Sequence, residues 1–467
     1  MKSVIVGGTL VAEGQRVRRD IEIEAGRITR VADRIGTAEA DLVFDATGRY
    51  VFPGFIDPHV HSRDPGGTHK EDFAHSTKAA LLAGITTILE MPNTAPPLLS
   101  AEMVAPRAEY LQERAFTDFG LWALVLGNES QAQLASLREA GVVAAKLFWG
   151  YSFDKETMTL VYGADKDHAA ALIPPADNGA VWSLLRAAAH VDLLIGFHCE
   201  DRSVVEAATR EIGTATSLQA LTRTRPASAE AVSVATLVEL VRDVGGRAHV
   251  VHVSSAPTVH LLRRAHADGL NITGETCPHY LTFSTEDLAS AGSSLKAYPP
   301  VRGTEHAGEL WEALQDSTIL SVGSDHAPHS CAERQGPFGS QPAGIGAVQT
   351  STRLMLDAAA REQISLEQVA EVMSTGTAKI YGLYPRKGSL MAGADADITI
   401  VDMDRGWSID AATLATKTPL SPWIGRTGRG VPVAAFLRGR LVMQDGEVRG
   451  APTGRFVPRP PSAGGAS

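Results

Sequence analysis

Pro53-Gly54-Phe55-Ile56-Asp57-Pro58-His59-Val60-His61 is a strand-like run that ends in two histidines two residues apart. Side chains at i and i+2 of a strand point the same way, so His59 and His61 can hold one cation from one side. Alone, such a pair is as often a surface feature as a ligand set. Four more residues change that balance. Lys146 interrupts the apolar run Val142-Val143-Ala144-Ala145-Lys146-Leu147-Phe148. It could reach a barrel rim along its own stem, but a lysine in a buried strand otherwise needs a partner. Burial favours the neutral amine. A neutral amine reacts with carbon dioxide to give a carbamate, whose two oxygens can bridge two cations. His198 ends Leu193-Leu194-Ile195-Gly196-Phe197, His252 follows His249-Val250-Val251, and Asp325 closes Ile319-Leu320-Ser321-Val322-Gly323-Ser324. All lie where a strand gives way to a loop, and a carboxylate there can bind a cation and shuttle a proton.

The same alternation extends outward. Apolar runs at Thr86–Met91, Phe119–Leu126, Ala144–Phe148, Leu193–His198, His249–Val253, Asn271–Thr276 and Ile319–Ser324 read as strands. Between them Ser76–Ala83, Ala101–Glu113, Val181–Ala189, Ala229–Arg242 and Ala256–Ala267 carry helical spacing. This pattern suits a parallel sheet, and six polar residues at successive strand ends favour a (β/α)8 TIM-like barrel over a doubly wound one. Both chain ends have another texture. Ser3–Val6, Thr9–Val11, Asp20–Glu24 and Ile28–Ala32 read as short half-buried strands, as do Asp397–Asp402, Val433–Arg438 and Arg440–Met443. The expected layout is α/β: a barrel over 56–385, and a smaller β-sandwich domain built from 1–55 and 386–457. A Pro-, Gly- and Ser-rich disordered tail is expected over 458–467.

Composition narrows the function classes. A net charge of −10 argues against a nucleic-acid or anionic-membrane partner. No run of 18 apolar residues could span a bilayer. A glycine pair, Gly7-Gly8, interrupts the start before a signal-peptide apolar region forms, so a cytoplasmic protein is expected. Cys199, Cys277 and Cys331 are too few and too widely spaced for a disulfide framework or a thiolate zinc site.

Taken with Gly84-Ile85-Thr86-Thr87, Cys277-Pro278-His279-Tyr280, Ser324-Asp325-His326-Ala327-Pro328-His329 and Ala394-Asp395-Ala396-Asp397, these residues resemble the cyclic amidohydrolases of the amidohydrolase superfamily. That group comprises dihydroorotases, hydantoinases, dihydropyrimidinases and allantoinases. The resemblance implies two divalent metal ions, zinc foremost. It places His59, His61 and Asp325 on the more buried ion and His198 and His252 on the other, with a carboxylated Lys146 and a hydroxide bridging both. It implies Asp325 as the proton shuttle, a small cyclic amide as substrate, and a dimeric or tetrameric homo-oligomer. Some relatives of this kind have lost their ligands and serve as scaffolds; retention of all six candidates argues against that role.

The resemblance also bears on which ring is opened. Arg63, Asn93 and His329 match the trio that grips the substrate carboxylate in dihydroorotases. Tyr151 instead resembles the hydantoinase and dihydropyrimidinase tyrosine that hydrogen-bonds the substrate or its oxyanion. Cys277, His279 and Pro299 fall in loops whose backbone reads the ring's imide edge. Dihydroorotate leads, and a hydantoin, dihydropyrimidine or allantoin ring is the alternative.

Overall fold

The computed structural model describes residues 2–161 and 170–461. Eight parallel strands follow one another in chain order round a nearly closed barrel. They are β1 (Phe55–Val60), β2 (Ile85–Glu90), β3 (Asp118–Leu124) and β4 (Ala144–Trp149), then β5 (Leu194–Cys199), β6 (Arg247–Val250), β7 (Ile272–Thr276) and β8 (Ser321–Val322). The seam between β8 and β1 is spanned by His61 N donating to His326 O at 2.8 Å and by a parallel bridge from Val60 to His326. Every residue of β1 to β5 is buried, because side chains fill the barrel and helices cover its outside. Several helices begin at side-chain caps. Asp72, Asp177 and Asp201 accept from His75 N, Ala180 N and Val204 N, satisfying amides that have no partner within the helix.

The two ends of the chain meet in one small β domain of two sheets. A four-stranded sheet has the order Arg27–Ala32, Asp20–Glu24, Lys2–Val6, Leu42–Asp45. In the seven-stranded sheet, Ile398–Ser408 from the C-terminal stretch runs antiparallel to Tyr50–Pro53 from the N-terminal one, with Ile398 opposite Pro53. Phe44 of the first sheet meets Phe436 of the second edge-on, ring centroids 5.5 Å apart.

Four strands of this domain are absent from the patterning: Gln15–Arg18, Leu42–Asp45, Tyr50–Pro53 and Glu447–Val448. None exceeds four residues, too short for alternation to stand out. The disordered tail expected from 458 is corrected as far as Pro461. Arg459 N donates to Gly141 O at 3.0 Å, its guanidinium grips Asp192 at 2.6 Å, and Arg138 Nη2 donates to Pro460 O at 2.6 Å. Composition suggested a free end, but one buried arginine anchors it. Residues 462–467 lie outside those described.

Candidate metal centre

The six candidate ligands converge at the C-terminal ends of the barrel strands. His59, His61, Lys146, His198, His252 and Asp325 all line one cavity, together with Arg63, Asn93 and Tyr151. His59 Nε2 and His61 Nε2 lie 3.3 and 3.4 Å from one oxygen of Asp325. Across the cavity His198 Nδ1 and His252 Nε2 are 2.9 Å apart. The chain turns sharply to present these groups: Arg63, His252 and Asp325 have φ of 63°, 41° and 46°. Such left-handed backbone is unfavourable for side-chain-bearing residues and is tolerated where the surroundings hold it.

A hydrogen-bond acceptor fixes the outward nitrogen of three of the imidazoles. His59 Nδ1 donates to Glu275 Oε1 at 2.5 Å, His61 Nδ1 to Asn93 Oδ1 at 2.7 Å, and His198 Nε2 to Glu200 Oε2 at 2.9 Å. Each leaves its other nitrogen as a lone-pair donor facing the cavity, the arrangement that orients histidines toward a metal. Burial pushes the His61 ring down to about 4 and lowers His198 and His252, which keeps these imidazoles neutral at neutral pH. Asp325 resists the upward pull of burial and is held well below the usual carboxylate range, chiefly by His59 and His61.

Lys146 is the decisive test of fit. Its Nζ is fully buried and has no hydrogen-bond partner among the described residues, and burial pulls its pKa down to about 8. An unpartnered ammonium is costly there. A neutral amine, or a carbamate sharing cations with the facing nitrogens, is not. The donor set of imidazoles and a carboxylate suits zinc, and manganese or cobalt would accept similar donors. Two divalent cations therefore fit these residues.

The remaining expected residues are distributed less simply. Arg63 lines the cavity, and its Nη2 lies 3.3 Å from His329 Nε2. Burial, then Arg63 and Lys70, push His329 down to about 2, so it is a neutral ring beside two cations. Asn93 already spends its Oδ1 on His61. Tyr151 OH donates to Glu200 Oε2 at 3.2 Å and accepts from Arg225 Nη1 at 2.9 Å, so its hydroxyl is engaged within the protein. Cys277, His279, Pro299 and His329 do not line the cavity; Pro299 O accepts from Tyr280 OH at 2.7 Å, and His329 Nε2 lies 3.1 Å from Ala343 O. Burial raises the Cys277 thiol well above its ordinary value, so it offers no thiolate.

Four supporting acids and a base escaped the sequence reading. Glu90 holds Ser62 N at 3.0 Å, Glu230 holds Ser254 N and Ser255 N, and Glu275 and Glu200 hold His59 and His198. Arg225 pairs with Glu200 at 2.5 Å and stacks over Tyr298, 3.8 Å from its ring centroid. Glu90, closing the strand Ile85–Glu90 after Ile88 and Leu89, carries a signal like that of Lys146, whereas Glu275 sits among threonines and a glycine and carries none. Arg225 sits at the end of a helix and carries none.

Comparison with known proteins agrees with this geometry. Residues 50–442 match the amidohydrolase family. The chain is similar to an allantoinase of Deinococcus radiodurans, 35% identical over 97% of both chains. It is also similar to a dihydroorotase of Pelotomaculum thermopropionicum, 32% identical over 96% of this chain and 100% of that one. The solved L-hydantoinase (dihydropyrimidinase) of Arthrobacter aurescens superposes with a TM-score of 0.89 at 28% identity, covering 98% of this chain and 99% of that one. Barrel, cavity and relatives agree: the chain belongs to the amidohydrolase family and is an enzyme of its cyclic-amide-hydrolysing group.

Proposed function

We propose that the protein hydrolyses, or in reverse closes, a cyclic amide that carries a carboxylate on its ring, interconverting dihydroorotate and N-carbamoyl-aspartate. The observation that carries this reading is Arg63, whose guanidinium lines the cavity beside the candidate ligands with the His329 ring at 3.3 Å. Lys70 lies behind, with its Nζ 3.4 Å from His329 Nδ1, but Glu333 pairs with it at 2.6 Å. Arg63 is therefore the cation that faces the cavity, and its planar fork of donors suits a ring carboxylate.

His59, His61, His198, His252 and Asp325 would hold two zinc ions, and Lys146 would contribute oxygen ligands as a carbamate. When bound, such a pair acidifies water and polarises the ring carbonyl. The protein's own groups do the rest. Arg63 anchors the carboxylate and sets the ring's orientation, with the His329 ring beside its guanidinium. Asp325, kept ionised, takes the proton of the attacking water and delivers it to the ring nitrogen as the amide bond breaks.

A second reading, an uncharged hydantoin, dihydropyrimidine or allantoin ring, is favoured by Tyr151 on the cavity wall and by the names of the relatives above. Turnover of the zinc-loaded enzyme on dihydroorotate, dihydrouracil, hydantoin and allantoin separates the two. Preference for dihydroorotate is expected, as is a fall of about 10²-fold or more on that ring alone in Arg63→Met. Equal loss on charged and uncharged rings would sink the clamp and leave Arg63 a loop-holding residue.

A further inference from the structure

A second concavity opens where β3 begins, at the end of the barrel opposite the metal centre. It has a volume of about 890 Å³ and is lined by Arg27, Arg386, Arg438, Arg440, Arg455 and Asp395. Five arginines on one cavity are unexpected in a chain of net charge −10. The buried acids beneath do not neutralise them. Asp395 takes Arg386 at 2.9 Å, Arg27 at 3.6 Å and Lys387 at 3.2 Å. Asp118 takes Arg438 and Lys387, and Asp397 takes Lys387. Five arginines and one lysine thus face three carboxylates, which leaves three positive charges in surplus. Arg440 and Arg455 are exposed, and their side chains have no ion pair or hydrogen bond among the described residues.

The walls are close-packed backbone. A Cβ on Gly454 would fall 1.9 Å from Thr117 O, and one on Gly439, at φ +73°, 2.6 Å from Ile23. Arg386 is pinned by Asp395, which is only 5% exposed, and Arg27 donates to Gly393 O at 2.7 Å. Part of the donor array is therefore set before any ligand arrives, which lowers the ordering cost of binding. Guanidinium forks match phosphate oxygens in pairs, and the volume suits a small ligand.

We propose that this cavity binds a small multivalent anion of oligophosphate chemistry, either free inorganic pyrophosphate or the phosphate chain of a nucleoside triphosphate. Nothing in the proposal depends on which ring the metal centre opens.

Isothermal titration of the full-length, zinc-loaded enzyme with pyrophosphate and separately with ATP tests it. One site per chain is expected, weakening as salt is raised. The double variant Arg440→Ser, Arg455→Ser should bind at least about tenfold more weakly. Both positions are exposed and far from the metal centre, so melting temperature and ring-opening turnover should stay unchanged. Equal affinity for the two probes assigns the site to the phosphate chain alone, and tighter ATP binding assigns part of it to the nucleoside; both support the proposal. Identical heats from wild type and double variant would mean the probes merely take zinc from the metal centre, and would overturn it. So would the absence of binding at about 1 mM probe, or a double variant whose only change is a smaller assembly, which would make the cavity a contact between copies.

Discussion

Lys146 and Lys387 are both fully buried in this molecule, at opposite ends of the barrel, and their surroundings are opposites. Lys387 Nζ is held by three carboxylates, with Asp118 at 2.6 Å and Asp395 at 3.2 Å. Against the pull of burial, those acids keep it well above the ordinary lysine range. Lys146 Nζ has no hydrogen-bond partner and is pulled down to about 8. A buried amine matched with acids is a fastener: it ties β3 to the link between barrel and β domain. A buried amine left unmatched among neutral imidazoles is eased toward its neutral form, the form that the proposed carbamate requires. The difference lies in the partners and not in burial.

The contrast can be broken at either lysine. Replacing Lys146 by Ala should remove the paired cations, measured as metal per chain, and lower turnover by about 10³-fold or more. Acetate or propionate should restore part of both by supplying the missing oxygens. Full metal content and full turnover in that variant would dispose of the carbamate. Replacing Lys387 by Met should do the reverse. Metal per chain stays the same, while the three acids lose their counter-charge and stability falls by about 3–5 kcal/mol in denaturant unfolding. A variant that loses zinc instead would show that the two ends of the barrel are coupled.

The contrast was legible at one end only. Lys146 shows in the sequence because its neighbours are apolar and because His59, His61, His198, His252 and Asp325 recur at strand ends. Lys387 sits in Tyr384-Pro385-Arg386-Lys387-Gly388, a polar turn that gives no hint of burial, and its partner Asp118 lies 269 residues away. Arg225 escaped for the same reason: Tyr151 is 74 residues distant and nothing local announces the contact. Periodicity reports which face of an element is buried. It does not report which distant charge will meet it. The barrel, which rests on periodicity, could therefore be read, and most of the polar network behind the site could not.

Smaller tests sharpen the picture around Lys146. Glu200 orients His198, so Glu200→Gln should weaken metal retention by about 10–100-fold in a chelator competition while leaving the fold intact. Unchanged retention would confine Glu200 to its pairing with Arg225. The smallest expected effect is one of pH. Lys146 gains its reactive neutral form as pH rises through about 8, so the sign is upward. Reconstituting metal-free enzyme with zinc and bicarbonate should proceed several-fold faster at about pH 8.5 than at about pH 6.5. A flat or falling profile would place the rate-limiting step elsewhere.

The sheet that joins the chain ends carries a consequence for biosynthesis. Tyr50–Pro53 is covered on one side only by Ile398–Ser408, which leaves the ribosome later by the whole length of the barrel. At ordinary elongation speeds of 5–20 residues per second that interval is roughly 20–70 s. During it the N-terminal strands present an open edge to every other nascent chain. A product released early never acquires the covering strand, so the seam marks truncated copies by the edge they expose.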